Sequence, residues 1–187
     1  MKQAICTLFT CFCLALGYQA RCTTLPDACG DDKTQIDVKT QKNQPVPSAP
    51  EEGKAQIIFI EAMDKNLACW SCGTPSSRFG IDGAWVGATK GDSYFTVTVS
   101  PGEHHLCADW QSAFGRLKKM VGMADFVAEA GKTYYFEAKV RIKAHEYGGG
   151  ADASSEVDRD LSFTQVGDDE GKYRVKASAQ STAIARK

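Results

Sequence analysis

The residues whose types and spacing most directly offer chemistry are Cys69 and Cys72, in the stretch Cys69-Trp70-Ser71-Cys72. Two thiols so placed can cycle between dithiol and disulfide if the first is held as a thiolate, usually by the amides of a helix N-terminus. Here Gly73-Thr74-Pro75 follows at once, the Trp lies inside the pair, and no alternation of strands and helices surrounds it. A structural disulfide is therefore preferred over redox catalysis. Bonding Cys69 to Cys72 closes about four residues and stabilises by about 2 kcal/mol in a chain-entropy argument, whereas bonding either to Cys107 closes roughly 35 or more and gives about 4 kcal/mol. The expected pairing joins Cys107 to Cys69 or Cys72, and Cys22 to Cys29. After loss of a signal peptide Cys22, Cys29, Cys69, Cys72 and Cys107 remain, an odd number that leaves one thiol over in a monomer.

His104, His105 and Cys107 raise the question of a metal. On a strand, only His105, Cys107 and Asp109 share a face, and steps of about 6 to 7 Å are too long for three such neighbours to embrace one ion. His145, the remaining histidine, precedes a Gly-rich loop. The expectation is no metal and no cofactor. The sequence shows no serine nucleophile elbow, and Gly148-Gly149-Gly150 lacks the Lys-Ser or Lys-Thr of a phosphate-cradling loop. No catalytic residue is assigned. Trp70, Trp85 and Trp110 could stack on a sugar ring or anchor a protein, although a large aromatic in a small β-domain is more often core. Trp85 lies between two turns and is the best exposed candidate; with Trp110 and His105 it makes up the candidate binding surface.

These residues need elements to hold them. From Ile81 to Trp110 apolar runs alternate with turn residues: Asp82-Gly83, Lys90-Gly91-Asp92 and Pro101-Gly102. This is the pattern of successive hairpins. Ile57-Ile58-Phe59-Ile60 reads as a central strand buried on both faces. In Ser93–Val99, Phe95, Val97 and Val99 share one face and Tyr94, Thr96 and Thr98 the other, which is read as solvated. Thr133–Ala144 carries the longest clean alternation, with Tyr134, Phe136, Ala138, Val140 and Ile142 in one row. Residues 111–122 show no strand period. Seven or eight short strands and no strong amphipathic helix predict an all-β, antiparallel two-sheet sandwich, with a small barrel as runner-up.

Three stretches also carry a resemblance. Gly53–Ile60 (GKAQIIFI), Ile81–Trp110 with its DG turn, V-G pair and PGEH turn, and Ala128–Val140 with its AGKTYY turn resemble a bacterial envelope β-sandwich family of uncharacterised function, domain of unknown function 2846. More distantly they are similar to PEGA-like sandwich modules. The resemblance covers residues 54–166. It implies a transthyretin-like or immunoglobulin-like sandwich in the envelope or outside the cell, and it carries no catalytic residues to transfer.

At its start the chain places Lys2 before an apolar run from Ala4 to Leu16, with small residues following. This predicts a secretory signal peptide over 1–17, with cleavage as late as 20 as the alternative. About 13 apolar residues are too few to span a bilayer. Lipidation at Cys22 is disfavoured because Gln19-Ala20-Arg21 puts a charge where lipoprotein signals carry a small residue. Residues 18–53 are polar and Pro-rich and are read as a flexible spacer, 54–177 as the sandwich domain and 178–187 as a polar tail. A net charge of -1 and a pI near 6.3 argue against nucleic acid. The function expected is a non-enzymatic binding or structural module of the envelope, with an envelope protein or glycan as partner. The alternatives are a thiol-disulfide protein using Cys69 and Cys72, and a carbohydrate-binding module.

Overall fold

A continuous apolar run, Ile57-Ile58-Phe59-Ile60, buried on both faces, places strand β2, Ala55–Ala62, at the centre of the molecule, and its neighbours build outward from it. A computed structural model describes residues 25–62, 74, 76–111, 120–147 and 154–184; over 140–147 and 154–159 it describes the backbone. The strands are β1 Asp37–Gln41, β2, β3 Ser76–Ile81, β4 Ala84–Lys90, β5 Ser93–Val99, β6 Gly102–Trp110, β7 Val121–Ala128, β8 Thr133–Tyr147, β9 Ser154–Val166 and β10 Ala179–Ile184, with helix α1 over Asp168–Ala177. They form a six-stranded sheet, in the order β1-β10-β5-β2-β8-β9, and a four-stranded sheet, in the order β4-β3-β6-β7. The two sheets pack face to face, as an all-β sandwich requires.

Ile57 and Phe59 of β2, Phe95 of β5, Phe136 of β8 and Phe163 of β9 meet Phe79, Leu106 and Phe126 of the smaller sheet between the layers. Phe59 lies with its ring centroid 4.9 Å from Phe79 and 5.2 Å from Phe95, so one aromatic cluster joins the layers. The opposite face of the larger sheet is also covered. Ile58, Ile60, Tyr94 and Tyr135 pack beneath Val175 of α1, which Arg174 pins to β8 through Glu137 at 3.3 Å. Tyr94 is therefore buried, although its row reads as solvated from the strand period alone.

Three differences from the sequence expectations concern architecture. The six-stranded sheet is mixed: β2 runs parallel to β8 with Ile57 opposite Tyr134, and β10 runs parallel to β5, whereas the four-stranded sheet is antiparallel throughout, as expected. Residues 25–53 do more than space the domain, since β1 pairs antiparallel with β10 and Leu25 and Cys29 are buried. The stretch 179–184 is a strand, and Ser181 is buried in it. Strand β1 has no apolar run because its outer position asks only for backbone partners and leaves its side chains in solvent. No helix among the described residues is long and apolar enough to cross a membrane. Residues 1–24, with the expected signal peptide and Cys22, lie outside the described residues, as do Cys69, Trp70, Cys72, Gly148-Gly149-Gly150 and most of 111–122.

Candidate functional site

Of the sequence candidates that the structure describes, Trp85, His105 and Cys107 lie on the outer face of the four-stranded sheet. On β6 the period of two sends His104, Leu106 and Ala108 inward and His105, Cys107 and Asp109 outward. Each outward residue has a different partner. Cys107 bonds Cys29, with Cα atoms 5.2 Å apart. Asp109 pairs with Arg78 of β3, and His105 Nδ1 meets Asp125 of β7 at 2.8 Å.

The disulfide corrects the expected connectivity: Cys107 is joined to Cys29, not to Cys69 or Cys72, and Cys29 is not joined to Cys22. Its sequence separation of 78 makes it the stronger cross-link on the same loop-length argument, about 4 to 5 kcal/mol. The loop-length argument favours this bond, but reading residues 18–53 as a free spacer pairs Cys29 with Cys22 inside the spacer instead of with Cys107. Cys29 and Cys107 are buried together with Leu25 against Ala28, Trp85 and Val121.

Residues 25–34 form a strap over this face, and Arg78 anchors it. The Arg78 Nε and Nη2 donate to Asp109 Oδ2 at 2.9 and 2.7 Å, while the other guanidinium hydrogens reach the carbonyls of Asp31, Asp32 and Thr34. Arg78 is 3% exposed and Asp109 4%, so the pair is desolvated and its geometry must carry it. The guanidinium also lies 4.2 Å from the Trp85 ring centroid, and the Trp85 indole donates to Asp31 O at 2.7 Å. Trp85 is thus a half-buried wall of the strap seat. Gly30 passes so close to the indole that a Cβ there would run into the ring. Gly30→Ala is expected to cost about 1 to 3 kcal/mol by displacing strap or ring, read as a fall in the urea midpoint at unchanged m-value.

The proposed binding trio does not converge. Trp85 and His105 are on the outer face, whereas Trp110 points between the sheets and packs against the main core. Its indole nitrogen is buried without an acceptor among the described residues. His105 remains more than half exposed; the hydrogen bond to Asp125 raises its pKa above the ordinary histidine value.

A second cluster, absent from the sequence reading, sits between the sheets at the end where β2 finishes. Glu61 is 4% exposed and accepts hydrogen bonds from Ser77 Oγ at 3.1 Å and Thr89 Oγ1 at 2.7 Å, which come from β3 and β4 of the opposite sheet. Ser93, opposite Glu61 on β5, takes a hydrogen bond from Ser181 of β10 at 2.7 Å. Burial pushes the Glu61 carboxyl up to about 7, against the lowering effect of the two hydroxyls and with added repulsion from Asp92. The signal was present: in Ala55–Ala62, Glu61 is in phase with Ala55, Ile57 and Phe59, so strand alternation puts an acid in the core row. Glu61 is thus a buried carboxyl of raised pKa that links the two sheets through the Ser77 and Thr89 hydroxyls.

Comparison with family models, with curated proteins and with solved structures gives no match for this chain.

Proposed function

We propose that this protein is an exported, non-enzymatic β-sandwich module of the cell envelope, acting by binding or bracing and not by catalysis. The observation that carries the reading is the strap, which fixes residues 25–34 to the sandwich by the Cys29–Cys107 disulfide and by Arg78. A buried disulfide belongs to an oxidising compartment, in keeping with the apolar run after Lys2. Resemblance of the 54–166 stretch to an envelope family supports the same location, and a transthyretin-like or immunoglobulin-like sandwich as the fold type. His105, Cys107 and Asp109 each engage a structural partner, which favours a scaffold over a reaction centre. An envelope protein or glycan remains the proposed partner.

One observation favours the thiol-disulfide alternative. With Cys29 and Cys107 paired, Cys69 and Cys72 are left with each other and with Cys22 as partners in the mature chain. Non-reducing peptide mapping of the native protein, with sequencing of its N-terminus, tests both readings. The expected result is a mature chain beginning near residue 18, an intact Cys29–Cys107 bond that resists glutathione without denaturant, and no thiol-exchange turnover. A retained leader with reduced Cys29 and Cys107 would overturn the exported-scaffold reading. Catalytic turnover that disappears in Cys69→Ser would establish the alternative instead.

A further inference from the structure

The Asp82–Gly83 turn between β3 and β4 is held through Asp82 by a histidine, His104. Asp82 has φ 50° and Gly83 φ 87°, the paired left-handed conformations of a two-residue hairpin turn. Asp82 N–H donates to His105 O at 2.9 Å, and Asp82 Oδ1 accepts the His105 N–H at 2.8 Å, docking the turn on β6. His104 completes the arrangement. Its Nδ1 lies 2.7 Å from Asp82 Oδ2 and its Nε2 2.8 Å from Ser100 O, in the turn between β5 and β6.

A carboxylate and a carbonyl can only accept, so both ring nitrogens must donate, and only the imidazolium carries two N–H groups. We infer that His104 is a proton-operated clamp: charged, it ties the β3–β4 turn to the β5–β6 turn and seats the strap, and on losing its proton it loosens all three. The link to the strap is Gly83, whose N–H donates to Ala28 O at 3.2 Å, one residue before the disulfide-bonded Cys29.

The surroundings suit the charged form. Asp82 faces the ring from the β3–β4 turn, and the β5–β6 turn presents the Ser100 carbonyl, with Lys54 Nζ 3.1 Å from the Ser100 hydroxyl. From β7, Phe126 flanks the ring at 5.8 Å between centroids, and Asp125 on the same strand is engaged by His105. On its own strand His105 opposes the charge, while Glu103 is a further carboxylate. Burial lowers the affinity of His104 for its proton, but the Ser100 and Asp82 hydrogen bonds outweigh it and leave the pKa above the ordinary 6.5. Because the folded pKa is raised, the clamp is complete below the unfolded value and is lost as pH rises through the folded one.

The test uses the full mature chain carrying Glu61→Gln, which removes the buried carboxyl that also titrates near neutrality. Ring nitrogen NMR at pH 6 is expected to show two N–H groups on His104 and a midpoint above 6.5. Exchange of the Gly83 and strap amides, corrected for its intrinsic pH dependence, is expected to accelerate about tenfold through that same midpoint, the effect of losing one charge-assisted hydrogen bond. Asp82→Asn keeps a residue that tolerates positive φ and is expected to move both midpoints down together. His104→Gln, neutral at every pH, is expected to abolish the exchange step. A single ring N–H at pH 6, a midpoint at or below 6.5, or an exchange step that persists in His104→Gln would overturn the clamp.

Discussion

Glu61→Gln is expected to raise stability at pH 8 by about 3 kcal/mol and to leave it within about 1 kcal/mol of the wild type at pH 4.5. The carboxyl titrates at about 7 in the folded protein against an ordinary value of 4.5. Between those values the native state binds the proton and the unfolded chain does not. Its contribution is therefore fully present below about 4.5 and lost as pH rises through about 7, when a charge must be held between the sheets. Gln mimics the protonated acid at every pH: its carbonyl accepts from one of the Ser77 and Thr89 hydroxyls and its amide donates to the other. Urea titrations at the two pH values measure the difference, which corresponds to roughly 6 to 12 °C in Tm at pH 8. A difference that does not change between pH 4.5 and 8 would show that Glu61 does not titrate in this range. Glu61→Ala is the contrasting variant, expected to lose stability at acid pH because it leaves the two buried hydroxyls without their acceptor.

Arg78→Ala is expected to cost about 3 to 5 kcal/mol, because it strands the Asp109 carboxylate in the seat of the strap. It also removes the donor shared by the Asp31, Asp32 and Thr34 carbonyls and the cation over Trp85. Arg78→Lys retains the charge but not the planar fork, so it falls between the wild type and Ala. The paired variant Arg78→Met with Asp109→Leu separates two contributions. Removing both charges is expected to recover most of the stability lost through the unpaired carboxylate, but the strap still lacks its donor. Limited proteolysis should therefore cut within residues 31–36 in both Arg78→Ala and the double variant, while Cys29 stays attached through Cys107. Protection of 31–36 in the double variant would show that the disulfide alone holds the strap.

Both residues show where sequence reading reaches its limit. Arg78 occupies an alternating position in Ser76–Ile81 whose neighbours Phe79 and Ile81 enter the core, so the pattern sends it outward. Outward ordinarily means solvated. Here it means beneath a segment more than forty positions earlier in the chain, as its bond to Asp31 O shows at a separation of 47. Residues 25–34 have no strand period and few large apolar side chains, and their order comes from carbonyls converging on one guanidinium and from one covalent bond. Tyr94 departs from the solvated reading of its row for the same reason, because helix α1 from the far end of the chain covers it, while Thr98 of that row is exposed.

What the sequence determined by itself was the local geometry: strand β2 from its continuous apolar run, β5 and β8 from their alternation, the Asp82–Gly83 turn from its residues, and the layered all-β class that follows from them. Those features depend on backbone sterics and side-chain period over a few neighbours, which a linear reading contains. Only the tertiary structure decided which outward face is covered, that Cys107 meets Cys29, that Trp85 and Trp110 lie on opposite sides of one sheet, and that Glu61 lacks a cation partner in its two hydrogen bonds. Burial and charge pairing depend on what distant segments bring to the same place, and that is the physical reason they could not be read from the residues in order.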